Sequence, residues 1–123
     1  MPYEPIEKLR IWKEARELAN LIHQLNSEVK FEFALKNQID RSSQSVCDNI
    51  AEMYGAYYYK VKINALRISR KEAFETINHI DKFITRHLWA LSACDSLTKR
   101  YQGLLKSINS YIKYLKEKDK ISD

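Results

Sequence analysis

Both prolines of this chain, Pro2 and Pro5, fall in its first five residues, so from Ile6 to Asp123 nothing forbids a helix and only Gly55 and Gly103 loosen one. An all-β sandwich or barrel needs turn residues about every 8 to 12 positions, and this spacing of breakers argues against it. The same scarcity excludes a Gly-rich phosphate loop or dinucleotide fingerprint, since neither glycine has a second one near it. With 123 residues the chain suits one domain. Cys47 and Cys94 fit neither a disulfide framework nor a four-ligand zinc site, and reduced thiols in the cytoplasm are the simpler reading. No apolar run approaches about 18 residues and the N-terminus lacks an apolar h-region, so neither a membrane span nor an export signal is expected.

Apolar residues recur at steps of three and four almost throughout. Ile6, Leu9, Trp12, Ala15, Leu18, Ile22 and Leu25 predict a first helix over about 6–26. Val29, Phe31 and Phe33 then alternate with charges, as in a short connection whose aromatics cap the core. Leu35, Ile39, Ser43, Val46, Ile50 and Met53 give a second helix over about 33–54, and Gly55 with Tyr57, Tyr58 and Tyr59 reads as a turn. Ile63, Leu66, Arg70, Ala73, Ile77, Ile80, Ile84 and His87 extend a third helix over about 59–91. After the helix-start residues Ser92, Asp95 and Ser96, the series Leu97, Tyr101, Leu104, Ile108, Tyr111 and Leu115 marks a fourth. Long helices joined by short loops define an all-α, antiparallel up-down-up-down four-helix bundle spanning 1–123, with residues 1–5 and about 117–123 fraying. Leu105 and Ile112 widen the apolar face of the fourth helix, which suggests a second contact, most simply with another copy.

The net charge of +5 is unevenly placed. Residues 1–30 are neutral, 31–59 carry −2, 60–90 carry +4 and 91–123 carry +3. Lys60, Lys62, Arg67, Arg70 and Lys71 crowd the start of the third helix, while Lys99, Lys106, Lys113 and Lys120 recur every seven residues on the fourth. One reading of that stripe is an ordinary solvated heptad face. The other is a cationic face for a nucleic-acid backbone, with Lys60, Lys62, Arg67, Lys71, Lys99, Lys106 and Lys113 as its candidates. Tyr57 to Tyr59, Tyr101, Tyr111 and Tyr114 could stack on unpaired bases, although Tyr101 and Tyr111 sit on the core stripe.

The second helix also carries a polar stripe, Gln38, Arg41, Ser45, Asn49 and Glu52, about 100° from its apolar one. It reads either as plain exposed surface or as a hydrogen-bonded seam, and its mix of donors and acceptors favours the seam. Arg70 lies in an apolar stripe and calls for a carboxylate, for which Asp48, Glu52, Glu72 and Glu75 are the candidates.

Nothing local points to catalysis. A di-iron bundle needs two Glu-x-x-His elements, yet Glu75 and His79 are one residue too far apart and neither His23 nor His87 has a Glu three before it. His23 and His79 read as helix-surface residues and His87 as half-buried. No metal, cofactor or enzymatic role is expected.

NQIDRSSQSVCDNIAE resembles the pattern Q-x-x-R-(A/S)-x-x-S-(I/V)-x-x-N-I-A-E of the four-helix bundle proteins encoded in intervening sequences of bacterial 23S rRNA genes, through Gln38, Arg41, Ser45, Asn49, Ile50, Ala51 and Glu52. LRISRKEAFE is similar to the family's L-x-x-A-R-G-S-x-x-E at Leu66, Arg70 and Glu75, and Trp12, Ala15 and Leu18 match its opening. Met53, Ala56, Lys71 and Glu72 depart from the family pattern. The resemblance implies a four-helix bundle assembled as a ring-like homopentamer. A related accessory protein of diversity-generating retroelements binds nucleic acid and a reverse transcriptase through a positive surface. The expectation is therefore a non-enzymatic cytoplasmic homo-oligomer whose basic surface binds RNA or DNA. Its alternative is a structural or adaptor oligomer that binds a protein partner and no nucleic acid. Gln38, Arg41, Ser45, Asn49 and Glu52, with Arg70 and Glu75 beside them, would set bundle and subunit geometry.

Overall fold

The computed structural model describes residues 5–122. A single 3-10 turn at Ile6–Lys8 leads into α1 (Arg10–Ser27), followed by α2 (Phe33–Gly55), α3 (Tyr59–Thr85) and α4 (Leu91–Ser122). At about 1.5 Å per residue these helices run from about 27 to about 48 Å. The connections 28–32, 56–58 and 86–90 reach about 18 Å at most. Each helix must therefore start at the end where its predecessor stopped, which makes the bundle antiparallel. Helix α1 packs on α2, α2 on α3, α3 on α4, and α4 returns to α1.

The periodic apolar residues meet along the axis. Leu18, Ile22, Ile39, Ile50, Leu66, Ile80, Tyr101 and Ile108 are fully buried, and Trp12 packs partly buried against them. Burying a side chain of this size stabilises the fold by about 1.5 to 3 kcal/mol. Where α2 meets α3 the inward residues are small and hydroxylic. Ser69 Oγ donates to the Val46 carbonyl at 2.8 Å, and Thr76 Oγ1 bonds Ser42 Oγ at 2.8 Å. These bonds satisfy side chains that are sealed from water.

Several expectations are corrected. The first helix begins at Arg10, because Leu9 is extended between the 3-10 turn and α1. Helix α3 stops at Thr85, six residues short of the expected Leu91. His87 adopts φ 56°, and the N–H groups of His87 and Leu88 donate to the carbonyls of Ile84 and Phe83 at 3.1 and 2.9 Å. This is a Schellman ending with histidine at the left-handed position where glycine is usual, so the stop carried no glycine signal. The same geometry leaves His87 exposed rather than half-buried. Trp89 then stacks on Phe83 with ring centroids 3.8 Å apart, closing that end of the core.

Phe31 and Phe33 do not cap the core: they are 76% and 68% exposed, and Val29 packs against it instead. Glu32 between them sits at φ 64°, held by a 2.7 Å ion pair from Arg86 across the α3–α4 connection. Leu105 and Ile112 need no second copy, since both are buried in this chain's own core. Helix α4 runs unbroken to Ser122, past the last apolar stripe residue at Leu115. Its terminal lysines and glutamate are good helix formers, and Lys118 Nζ lies 5.5 Å from the Tyr114 ring centroid one turn back. The expected frayed residues 1–4 and 123 lie outside the described ones.

Candidate functional site

Arg70 ties α3 to α4 at their outer edge and shows which residues of the two helices lie level. Its Nη1 donates to Asn109 Oδ1 at 2.9 Å, so its partner is an amide on α4 and none of the four carboxylates considered. With Arg70 level with Asn109 in an antiparallel pair, Arg67 falls level with residues 112 and 113, and Lys60 with residues near 119. The exposed Lys60, Arg67 and Lys113 thus share one outer face at the end of the bundle holding the α2–α3 turn. Lys71, Lys99 and Lys106 are also exposed, and none of the ion pairs among the described residues involves any of these six cations.

Lys62 differs from the other candidates. Its Nζ donates to the carbonyls of Met53 at 3.0 Å and Tyr54 at 3.3 Å, capping the C-terminus of α2 where unpaired carbonyls collect. Burial lowers its pKa. Its sequence position in a basic run concealed this structural use.

The tyrosines separate into three groups. Tyr101 is fully buried, and burial pushes its phenol pKa up. Tyr111 is half-buried, and burial first, then Tyr114 and Tyr54, raises its pKa. Tyr57, Tyr58 and Tyr114 are exposed, and the Tyr57 and Tyr58 rings meet edge to face with centroids 5.0 Å apart. These exposed rings stand at the same end as Lys60, Arg67 and Lys113. Exposed cations and exposed aromatic rings therefore share this end of the bundle.

The polar stripe of α2 follows the outer edge of the α2–α3 seam. Gln38, Arg41 and Glu52 are exposed, whereas Ser45 and Asn49 are half-buried. Asn49 Nδ2 donates to the Ser45 carbonyl at 2.9 Å and to Ser45 Oγ at 3.1 Å. Contacts of Ser69 with Val46 and of Thr76 with Ser42 set the register, which brings Arg41 level with Glu75 and Ser45 level with Glu72. Glu72 feels burial first, then the repulsion of Glu75; both raise its pKa, and Arg41 opposes them. His79 belongs to the same cluster: burial and Lys82 lower its pKa, and its Nδ1 is sealed off without a hydrogen-bond partner. It is thus half-buried rather than a plain surface residue. Glu75 lies level with Arg41 at this edge, whereas Arg70 points away toward α4.

A third feature had no sequence signal. An open groove runs between α1 and α4, with Arg10, Lys13 and Lys106 on its walls. Arg100 spans it, donating through Nε and Nη2 to both Glu14 oxygens at 3.1 and 2.6 Å and lying 3.3 Å from Glu17. Arg10 and Lys13 were hidden because the acids of residues 1–30 cancel them in any segment sum. Among the described residues no cluster of three or more His, Cys, Asp or Glu is arranged to hold a metal ion. No described helix is long and apolar enough to cross a membrane.

A four-helix bundle with one cationic, tyrosine-bearing end and a polar α2 edge defines the class of this protein. The family model of the 23S rRNA-intervening sequence protein matches residues 7–110, and the chain belongs to that family. It is also similar to a crystal structure of a protein of unknown function from the S23 ribosomal protein family of Bacteroides thetaiotaomicron. The two are 31% identical, with a TM-score of 0.76 over 84% of this chain and 98% of the other. No curated protein matches the chain.

Proposed function

We propose that this protein is a non-enzymatic homo-oligomer of the cytoplasm that binds RNA or DNA through the cationic end of its α3–α4 face. The observation that carries this reading is the grouping of Lys60, Arg67 and Lys113, outside the ion pairs among the described residues, beside the exposed Tyr57 and Tyr58. The lysines and arginine would neutralise phosphates and release counterions, without reading sequence. The tyrosines would stack on bases, which favours a single strand over a duplex. Assembly into an oligomer, which the family resemblance gives as a pentamer, would repeat that end several times and raise avidity. The buried thiols Cys47 and Cys94 suit a reducing compartment.

Electrophoretic mobility shift with a single-stranded RNA, a single-stranded DNA and a duplex, at low and high salt, tests the reading. Single strands should shift at low salt and be released at high salt. Changing Lys60, Arg67 and Lys113 to Glu should abolish the shift for every sequence. Neutralising all three with Gln should make the slope of log affinity against log salt shallower by roughly 2 to 3. No shift of any strand at low salt would leave the adaptor reading, in which the same face docks an acidic protein.

A further inference from the structure

Most of the exposed aromatic rings already have company. Tyr57 and Tyr58 meet each other, Lys36 Nζ lies 5.2 Å from the Phe33 ring centroid, and Lys118 stands over Tyr114. Phe74, 58% exposed in the body of α3, has neither kind of neighbour: among the described residues no ring and no cation packs on it. Lysine and glutamate form helices better than phenylalanine, so helix formation does not account for a bare ring there.

Phe74 belongs to a row. Lys60, Arg67, Phe74 and Asp81 recur every seven residues along α3, drifting by about 20° per repeat, and all four are exposed. On α4 the exposed Lys113, Lys106 and Lys99 run the other way with the same period. With Arg70 level with Asn109, Phe74 falls level with residues 105 and 106, and Asp81 with residue 98. The two rows therefore set Arg67 beside Lys113, Phe74 beside Lys106 and Asp81 beside Lys99. Between Lys99 and Lys113 α4 has no acid, and between Lys60 and Phe74 the acid of α3 is Glu72, which lies on the α2 side in the field of Arg41. At the tyrosine end the exposed Glu117 is set among Lys113, Lys116, Lys118 and Lys120. At the other end the exposed Asp81 and Asp95 close the cationic stretch.

We propose that Phe74 is a second stacking platform, and that one single strand of nucleic acid lies along the α3–α4 face from Tyr57 and Tyr58 to Phe74, its phosphates on Arg67, Lys71, Lys106 and Lys113. This rests on the nucleic-acid reading above and gives that site a path, a length and an end. A single strand is the occupant because cations interleaved with a bare ring offer it both charge neutralisation and a stacking surface. The paired bases of a duplex leave no face for Phe74 to cover. From Tyr58 to Phe74 the helix rises about 24 Å. A strand stacked at about 3.4 Å per nucleotide fills that length with about seven nucleotides. Beyond Phe74 the carboxylates of Asp81 and Asp95 would repel further phosphates.

Fluorescence anisotropy with labelled deoxyadenylate oligomers of increasing length at low salt tests this, with circular dichroism and light scattering as controls for fold and mass. Wild-type affinity should climb steeply up to about seven nucleotides and then only with the number of available registers. Phe74→Ala should weaken a seven-nucleotide oligomer by about five- to hundredfold and leave a four-nucleotide one, held at the tyrosine end, within about twofold of wild type. Phe74→Leu should behave like Phe74→Ala and Phe74→Trp like wild type, since stacking needs a π-face rather than apolar bulk. The slope of log affinity against log salt should stay the same in all three, because no cation is removed. If Phe74→Ala or Phe74→Leu binds the seven-nucleotide oligomer like wild type, weakens both lengths equally or alters the scattering mass, the Phe74 platform is overturned and the site at Lys60, Arg67 and Lys113 stands. A wild type that binds no strand overturns both.

Discussion

The α2–α3 and α1–α4 seams are built from opposite materials. Between α2 and α3, Ser42, Ser69 and Thr76 are small enough to let the backbones approach, and every hydroxyl finds a partner inside. Of the four neighbouring pairs α1 and α4 meet least, Gly103 faces open space, and a bidentate Arg100–Glu14 pair spans the gap. A close seam is held by buried contacts that water and salt do not reach. A wide one is held by charges that water and salt weaken, and it keeps room for something else to enter. The same bundle therefore spends one seam on its own stability and leaves the other available.

The comparison breaks most sharply if bulk is added to each side. Ser69→Leu removes the bond to Val46 and overfills a sealed site, and should cost about 3 kcal/mol in chemical denaturation. Thr76→Val keeps the shape and loses the hydroxyl bonds to Ser42 and the Glu72 carbonyl, so a loss of about 1.5 kcal/mol is expected in the same assay. Gly103→Ala, which adds carbon at the open seam, should instead raise stability by about 1 kcal/mol, because alanine is the better helix former and meets no neighbour. Destabilisation there would mean that the groove is narrower than its geometry shows.

Arg100→Ala should cost less than about 1 kcal/mol at low salt and still less at high salt, since the pair is about one-third exposed. A salt-independent loss would place that pair with the buried contacts of α2–α3. Cys47 gives the smallest effect at neutral pH. Burial pushes its thiol from 9.0 up to about 11. The unfolded chain deprotonates first, so stability should be unchanged below about pH 9 and fall as pH rises toward about 11. Thermal melts of wild type against Cys47→Ala across that window check the sign.

Much of the fold is legible in the residues because helical periodicity is a local property. Leu18, Ile39, Ile80 and Ile108 lie on stripes three and four apart, and each is buried. The end of α3 was illegible because its left-handed residue is His87, whose sequence context says nothing of φ. Lys62 and Lys113 look alike in a basic run, yet only Lys62 lies within reach of the α2 C-terminus. Leu105 and Ile112 looked like surplus apolar surface because the width of the core facing α4 depends on how three other helices are rotated.

The sequence by itself determined that the chain forms long amphipathic helices, that the second half carries the positive charge, and that Gln38, Arg41, Ser45, Asn49 and Glu52 share one edge. Breaker spacing, composition and the 3.6-residue turn are sufficient for each of these. Only the tertiary structure decided that Arg70 meets Asn109, that Tyr101 is sealed while Tyr57 and Tyr58 stay open, and that Arg10, Lys13 and Lys106 converge on one groove. Those outcomes depend on the rotation and register of helices far apart along the chain. Register is set by interlocking side chains such as Ser69 on Val46, which no single stretch of sequence contains.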